Sequence, residues 1–534
     1  MSKLNHFLAL ATMTGLTLSS GSPLQAQTPP NALIMAWNID AISSFDPAQT
    51  VEVVTAEILQ NTCDALVQFD PKDPTNVLPA LAQSWDISDD AKTLTFHLRD
   101  NLKFDDGRVA TAADYAWSIQ RVVKLGLGNA ATLTEYGFTK DNIDELVSAP
   151  DDHTLVIKLV DPYPIDLILS AIGANRVTYL LDRQTLEKNA MDGDMGNKYL
   201  TTHTACVGPY KLMRWNPSEV VLLQASDHYW GKAPKLKQVF IKHVSESGTQ
   251  RLLLEKGDID VARDLSAEDI LDLEKKGNVN IERTLRPQMV YIMINNKNPI
   301  LANEKVRLAF RYLIDYDTLG KTILNGIAIP RASYLPLQTF GALDESEGEP
   351  FKLDLEKAKQ LITEAGYPNG FDANFLIGSL PYMTPVAQSI QDNAKKIGIN
   401  LKIERMAQAQ LLSRTRGGEF DTAIMGWQSS APDGHANSSR HVFNPDATYT
   451  QKQNMYVSWR VGYYDEEANK MVNKALFETD PKKRGEDYHE IQRYMFEHGP
   501  MAYLFQTYYL AGVNKRLKNW TWTGYQVYYD MAEK

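Results

Sequence analysis

Between residues 355 and 427 the sequence changes its hydrophobic period segment by segment, and this restricts the fold more than any other feature. "EKAKQLITEAG", "TPVAQSIQDNAKKIG" and "AQLLSRTRGG" carry the spacing of helices, whereas "DANFLIG", "INLKIERM" and "FDTAIMGW" are short runs suited to strands. Helix and strand in strict alternation predict an α/β sheet with helices packed on its faces. Ligands of such sheets bind in crevices beyond the carboxyl ends of the strands. The stretch "GWQSSAPDGHANSSRHVF", residues 426–443, starts at one such end.

The preceding part of the chain has a different organisation. "KTLTFHLRDNLKF" alternates Leu94, Phe96 and Leu98 with polar residues, which predicts a strand with one wet face. A turn at Asp105, Asp106 and Gly107 leads to a helix with Thr111 as N-cap, and "HTLVIKLV" supplies another strand, together an α+β subdomain. A hairpin is expected around Asn216 and Pro217. "NEKVRLAFRYLIDYDTLGKTIL" reads as one amphipathic helix capped by Asn303. At 534 residues the chain exceeds a single core. With no flexible linker in the sequence, its domains are expected to be interleaved by chain crossings.

Charge and the first residues bear on location. With 66 acidic against 55 basic side chains, the formal charge of −11 gives no attraction to nucleic acid. Lys3, the apolar run "FLALATMTGLTL" and "SPLQA" ending at Ala26 read as a secretory signal peptide over residues 1–26. The run is too short to span a bilayer. An oxidising compartment allows Cys63 and Cys206, the two cysteines, to bridge, and two buried thiols are the alternative.

Catalytic templates are missing. The sequence has no G-x-S-x-G elbow, no phosphate-binding G-x-x-x-x-G-K-[ST] loop and no C-x-x-C, and "HEIQR" at His489 has Arg493 where a zinc helix needs a second His. His435, His441 and Asp433 are close enough in sequence for a loop metal site, although loop histidines more often hydrogen-bond. Aromatic residues are plentiful, with 25 Tyr and 9 Trp. Several of them, including Tyr382, Trp427, Tyr449, Tyr456 and Trp459, stand at segment ends. Such side chains line partly wet cavities or simply pack in cores.

The run "LVQFDPKDPTNVLPALAQSWDISDDAKTLTFHLRDNLKFDDGRVATAADYAWSIQRV" closely resembles the signature of the family 5 extracellular solute-binding proteins, the peptide, dipeptide and nickel receptors of ATP-driven bacterial importers. The likeness continues through "SFDPAQ", "CVGPYKLMRWNP", "LEKGDIDVA", "KVRLAFRYLID", "AKQLITEAGYPNGF", "AQSIQDNAKKIGINLKI" and "FDTAIMGW". It implies a three-domain, two-lobed periplasmic clamshell of α/β class. Domain I would comprise residues 27–72, 205–290 and 500–534, domain II residues 73–204, and domain III residues 291–499. Both cysteines would then fall in or beside domain I, which favours a bridge.

The resemblance further implies a monomeric periplasmic receptor without catalysis or cofactor, whose partners are a small-molecule or peptide ligand and the membrane permease subunits of an ABC importer. Peptide-binding relatives resemble G-W-x-A-D-Y-x-D-P-H-A-N after the last strand, where the first Asp pairs with the peptide amine. Here Gly426, Trp427, Asp433, His435, Ala436 and Asn437 fit, while Ser430, Ala431 and Gly434 depart. The candidate ligand-binding residues are Trp427, Ser430, Asp433, His435, Arg440, Tyr382 and Tyr291. Asp433 is expected to take over a cation, unless the ligand lacks one at that spot, and Arg440 to hold a carboxylate or phosphate. A non-peptide ligand such as a modified peptide, sugar conjugate or metal chelate is the alternative, and a secreted hydrolase the remote one.

Overall fold

The computed structural model describes residues 28–50, 52–450, 453 and 455–534. The expected signal peptide at 1–26 lies outside the described residues. All six alternating segments take the form their periodicity predicts: helices Leu355–Glu364, Met383–Lys396 and Gln408–Gly417 separate strands Asp372–Ile377, Asn400–Arg405 and Thr422–Gln428. Asp354 caps the first helix by accepting from the Lys357 N–H. The strands pair in parallel, with Asp372–Ile377 lying between the other two.

These strands form one end of an 11-stranded mixed sheet. Strand Thr422–Gln428 pairs antiparallel with Val279–Ile294, which pairs with Met501–Asn514; beyond them the order runs through Val261–Ala262, Ala32–Trp37, Gln238–His243, Val220–Ala225 and Tyr210–Asn216. The last two are the hairpin expected around Asn216. At the end of Val279–Ile294 every side chain is buried. Val290, Ile292 and Ile294 join one core cluster while Met289, Tyr291 and Met293 join the cluster on the opposite face. A strand covered on both faces loses the usual polar alternation, so "MVYIMI" reads as a continuous apolar run. Its ladder with Met501–Asn514 shifts register between Leu285 and Met289 and again between Val290 and Tyr291.

The α+β subdomain builds its own core. Strands Ala82–Ile87, Thr93–Leu98, Thr154–Lys158 and Val147–Ser148 form a separate antiparallel sheet. Leu94, Phe96 and Leu98 point from it into a cluster shared with helix Ala112–Leu125. Thr111 caps that helix in a reciprocal arrangement with Asp114, whose carboxylate accepts from the Thr111 N–H at 3.0 Å.

The single helix expected from 303 to 324 is not formed. Helix Glu304–Tyr312 ends at Leu313, and a short second helix, Tyr316–Thr318, starts afresh with Asp315 accepting from the Thr318 N–H at 3.0 Å. A carboxylate that can cap competes with helix continuation, and here capping wins. Cys63 and Cys206 are bonded to each other, 143 residues apart in sequence. No helix among the described residues is long and apolar enough to cross a membrane.

Candidate functional site

Strand Thr422–Gln428 ends at the mouth of a cleft of about 130 Å³. One wall is formed by Gln428, Ser429 and Ser430. Facing them are Glu57 and Gln60 of helix Val53–Thr62, Arg176 and Tyr179, and the aromatic C-terminal segment with Trp522 and Tyr525. A second hollow of about 540 Å³ shares Val53, Tyr509 and Trp522 with the first and adds Trp37, Arg263 and Arg286. The two hollows adjoin along these shared side chains and are taken together as the groove.

The polar groups of this groove are fixed by one another. Arg286 Nε donates to Gln428 Oε1 at 2.8 Å, Gln428 Nε2 donates to the Tyr509 hydroxyl at 3.1 Å, and the Arg286 guanidinium lies 4.9 Å from the Tyr509 ring centre. Glu57 accepts from Nη1 and Nη2 of Arg263 and from the Tyr529 hydroxyl, the last at 2.6 Å. Arg263 is itself sandwiched between Trp37 and Trp522, at 4.1 and 4.3 Å. Gln60 Nε2 donates to the Tyr525 carbonyl at 2.8 Å. Gly524, at φ +84°, brings the C-terminal segment so close to strand Val279–Ile294 that a Cβ there would lie 2.3 Å from the Leu285 carbonyl oxygen. Only glycine suits both the conformation and the approach.

After Ser430 the chain turns into helix Gly434–His441, capped by Asp433, which accepts from the His435 N–H at 2.9 Å. The same carboxylate accepts from Arg484 at 2.5 Å, with both side chains almost fully buried. Asp433, expected to meet a ligand cation, thus already has a resident guanidinium as counter-ion, and it lines neither hollow. Gly434, where the related pattern has Pro, packs so tightly that a Cβ would lie 2.8 Å from the Tyr488 ring.

Arg440 likewise departs from expectation. Its Nη2 donates to Glu135 at 2.5 Å, and His435 Nε2 lies 3.6 Å from the same carboxylate. Burial alone would raise the pKa of Glu135, but the neighbouring His435 ring and the charge of Arg440 outweigh it and hold it at about 2. His441 sits behind the groove, hydrogen-bonded through Nδ1 to the Tyr503 hydroxyl at 2.8 Å. Burial, aided by the charges of Arg460 and Arg440, pushes it down to about 3, so it is neutral at physiological pH. The two histidines take different partners, and among the described residues no group of three metal-ligating side chains converges.

Of the remaining expected residues, Ser430 lines the groove. Tyr291 is 1% exposed and packs edge-on against His441 within a core cluster. Trp427 also packs against the His441 ring, and Tyr382 against Phe505. Neither lines either hollow of the groove. Arg286, Tyr509, Trp522, Tyr525 and Glu135 were not expected at the site. Only the aromatic density of "NWTWTGYQVYY" gave a local signal for some of them.

Comparison with known proteins agrees with this architecture. Residues 76–449 match the family described as bacterial extracellular solute-binding proteins, family 5 Middle. The chain is 28% identical to the probable D,D-dipeptide-binding periplasmic protein DdpA of Escherichia coli strain K12, over 95% of both chains. It is 24% identical to heme-binding protein A of Haemophilus influenzae, over 98% of this chain and 96% of that one. The structure of HbpA2 from Haemophilus parasuis superimposes with a TM-score of 0.78 at 22% identity, covering 94% of this chain and 99% of the other.

Proposed function

From the premise that this chain belongs to the bacterial extracellular solute-binding proteins of family 5, we propose that it captures a small peptide in its groove and passes it to an ABC importer in the membrane. The dipeptide-binding relatives support this choice of solute. The observation that carries it is the groove itself. It joins an apolar, aromatic lining at Trp37, Trp522 and Tyr525 to a few fixed polar groups at Arg286, Gln428 and Tyr509. That combination suits an amphiphilic solute with a carboxylate at one end.

The protein works as a periplasmic receptor. We take domain I as residues 27–72, 205–290 and 500–534, domain II as 73–204 and domain III as 291–499, with the groove between the first and third and bordered by Arg176 and Tyr179 of the second. A ligand that touches both walls only when they are close favours the closed form by its differential affinity, and the closed form is what the permease subunits recognise. No bond of the solute is made or broken in this scheme, and the receptor acts as a monomer.

Isothermal titration of the purified protein with Ala-Ala and Ala-Ala-Ala tests the reading. One site per chain with a Kd on the order of 1 µM is expected. Saturable binding of a non-peptide solute, with no heat from either peptide, overturns it.

A further inference from the structure

Ser430 lines the groove and also a small side cavity of about 50 Å³. This side cavity lies between the segment carrying Glu135 and helix Gly434–His441, and its polar lining includes Glu135, His435, Ser439 and Arg440. The charges within it cancel locally: Arg440 donates to Glu135 at 2.5 Å, and both side chains are mostly buried. An ammonium or carboxylate entering such a site would have no counter-ion of its own, and burying an unpaired charge is strongly unfavourable.

Three buried atoms among the lining side chains have no hydrogen-bond partner among the described residues: His435 Nδ1, Ser439 Oγ and Arg440 Nη1. Buried polar atoms are rarely left in that state. Arg440 Nη1 is a donor and needs an acceptor. His435 turns Nε2 towards the Glu135 carboxylate, which favours the tautomer protonated there and leaves Nδ1 as an acceptor. The Ser439 hydroxyl serves either need. A group that completes this set offers both a carbonyl oxygen and an N–H, carries no charge, and is small. The apolar neighbours Ala171 and Ala436 leave room for carbon beside it.

We propose that the side cavity is a subsite for a neutral amide of the bound solute, either an N-acylated terminus or a carboxamide side chain, reached past Ser430. This rests on the peptide reading and narrows it to the class of peptide taken. Titration with two matched pairs tests it: N-acetyl-Ala-Ala against Ala-Ala, and Gln-Ala against Glu-Ala. At least one amide-bearing member is expected to bind tenfold tighter than its charged partner, the first pair reporting a terminal acyl group and the second a side-chain amide. In Ser439→Ala, and separately in His435→Phe, that ratio falls to below threefold, with thermal melting confirming that each variant is folded. Ratios near one in both pairs, tighter binding of the charged members, or an amide preference that survives both substitutions overturns the subsite while leaving the peptide reading intact. Absence of binding by all four probes overturns the peptide reading and the subsite with it.

Discussion

Arg440 and Glu135 meet at 2.5 Å although 305 residues separate them. The pair ties helix Gly434–His441 at the rim of the groove to the α+β subdomain, two parts of the molecule with separate cores. Replacing Glu135 with Ala leaves Arg440 buried without its counter-ion, which costs about 3 kcal/mol. The urea midpoint is expected to fall accordingly. Peptide affinity falls with it, because the contact exists only while the two parts are together.

The same pair responds to pH in a defined direction. Glu135 titrates at about 2 in the folded protein against 4.5 for a free carboxyl, so its contribution is complete above about pH 4.5 and disappears as pH falls from there to about 2. Urea unfolding at a series of acid pH values is expected to show this loss. The Glu135→Gln variant lacks that part of the pH dependence.

His441 acts in a higher window. Its folded value of about 3 lies below the ordinary 6.5, so the unfolded chain takes up the proton first and stability declines as pH falls from about 6.5 towards 3. Between pH 6.5 and 5, above the Glu135 range, the His441→Gln variant is expected to give a flatter curve of unfolding midpoint against pH than the parent.

Asp433 is assigned to the framework by its bond with Arg484. Asp433→Asn is expected to cost about 3–5 kcal/mol in chemical unfolding. Titration of the folded variant is expected to return a peptide Kd within threefold of the parent. A much larger loss of affinity at unchanged stability would return Asp433 to the ligand.

The disulfide between Cys63 and Cys206 closes a loop of 143 residues. On the chain-entropy account a loop of that size is worth up to about 5 kcal/mol. The double variant Cys63→Ser, Cys206→Ser is expected to melt well below the parent, and a reducing agent is expected to reproduce the effect in the parent but not in the variant.

What the sequence disclosed depended on range. The six elements from 355 to 428 and the caps at Thr111 and Asn303 were legible because periodicity and capping are local. The break at Asp315 was misread because a capping carboxylate inside an amphipathic run looks like one more polar residue. The groove was legible on one wall only, at Ser430. Its other wall comes from residues 53–60 and 522–527, which no spacing rule connects to residue 430. The partners that reassigned Asp433 and Arg440, namely Arg484 and Glu135, are also distant in sequence, and a charged side chain carries no local mark of the charge it will meet.

The long strands Val279–Ile294 and Met501–Asn514 run side by side through the middle of the large sheet, and their ladder is interrupted only between Leu285 and Tyr291. Any bending of the sheet at that point has to move both ribbons at once, since each is paired to the other on either side of the interruption.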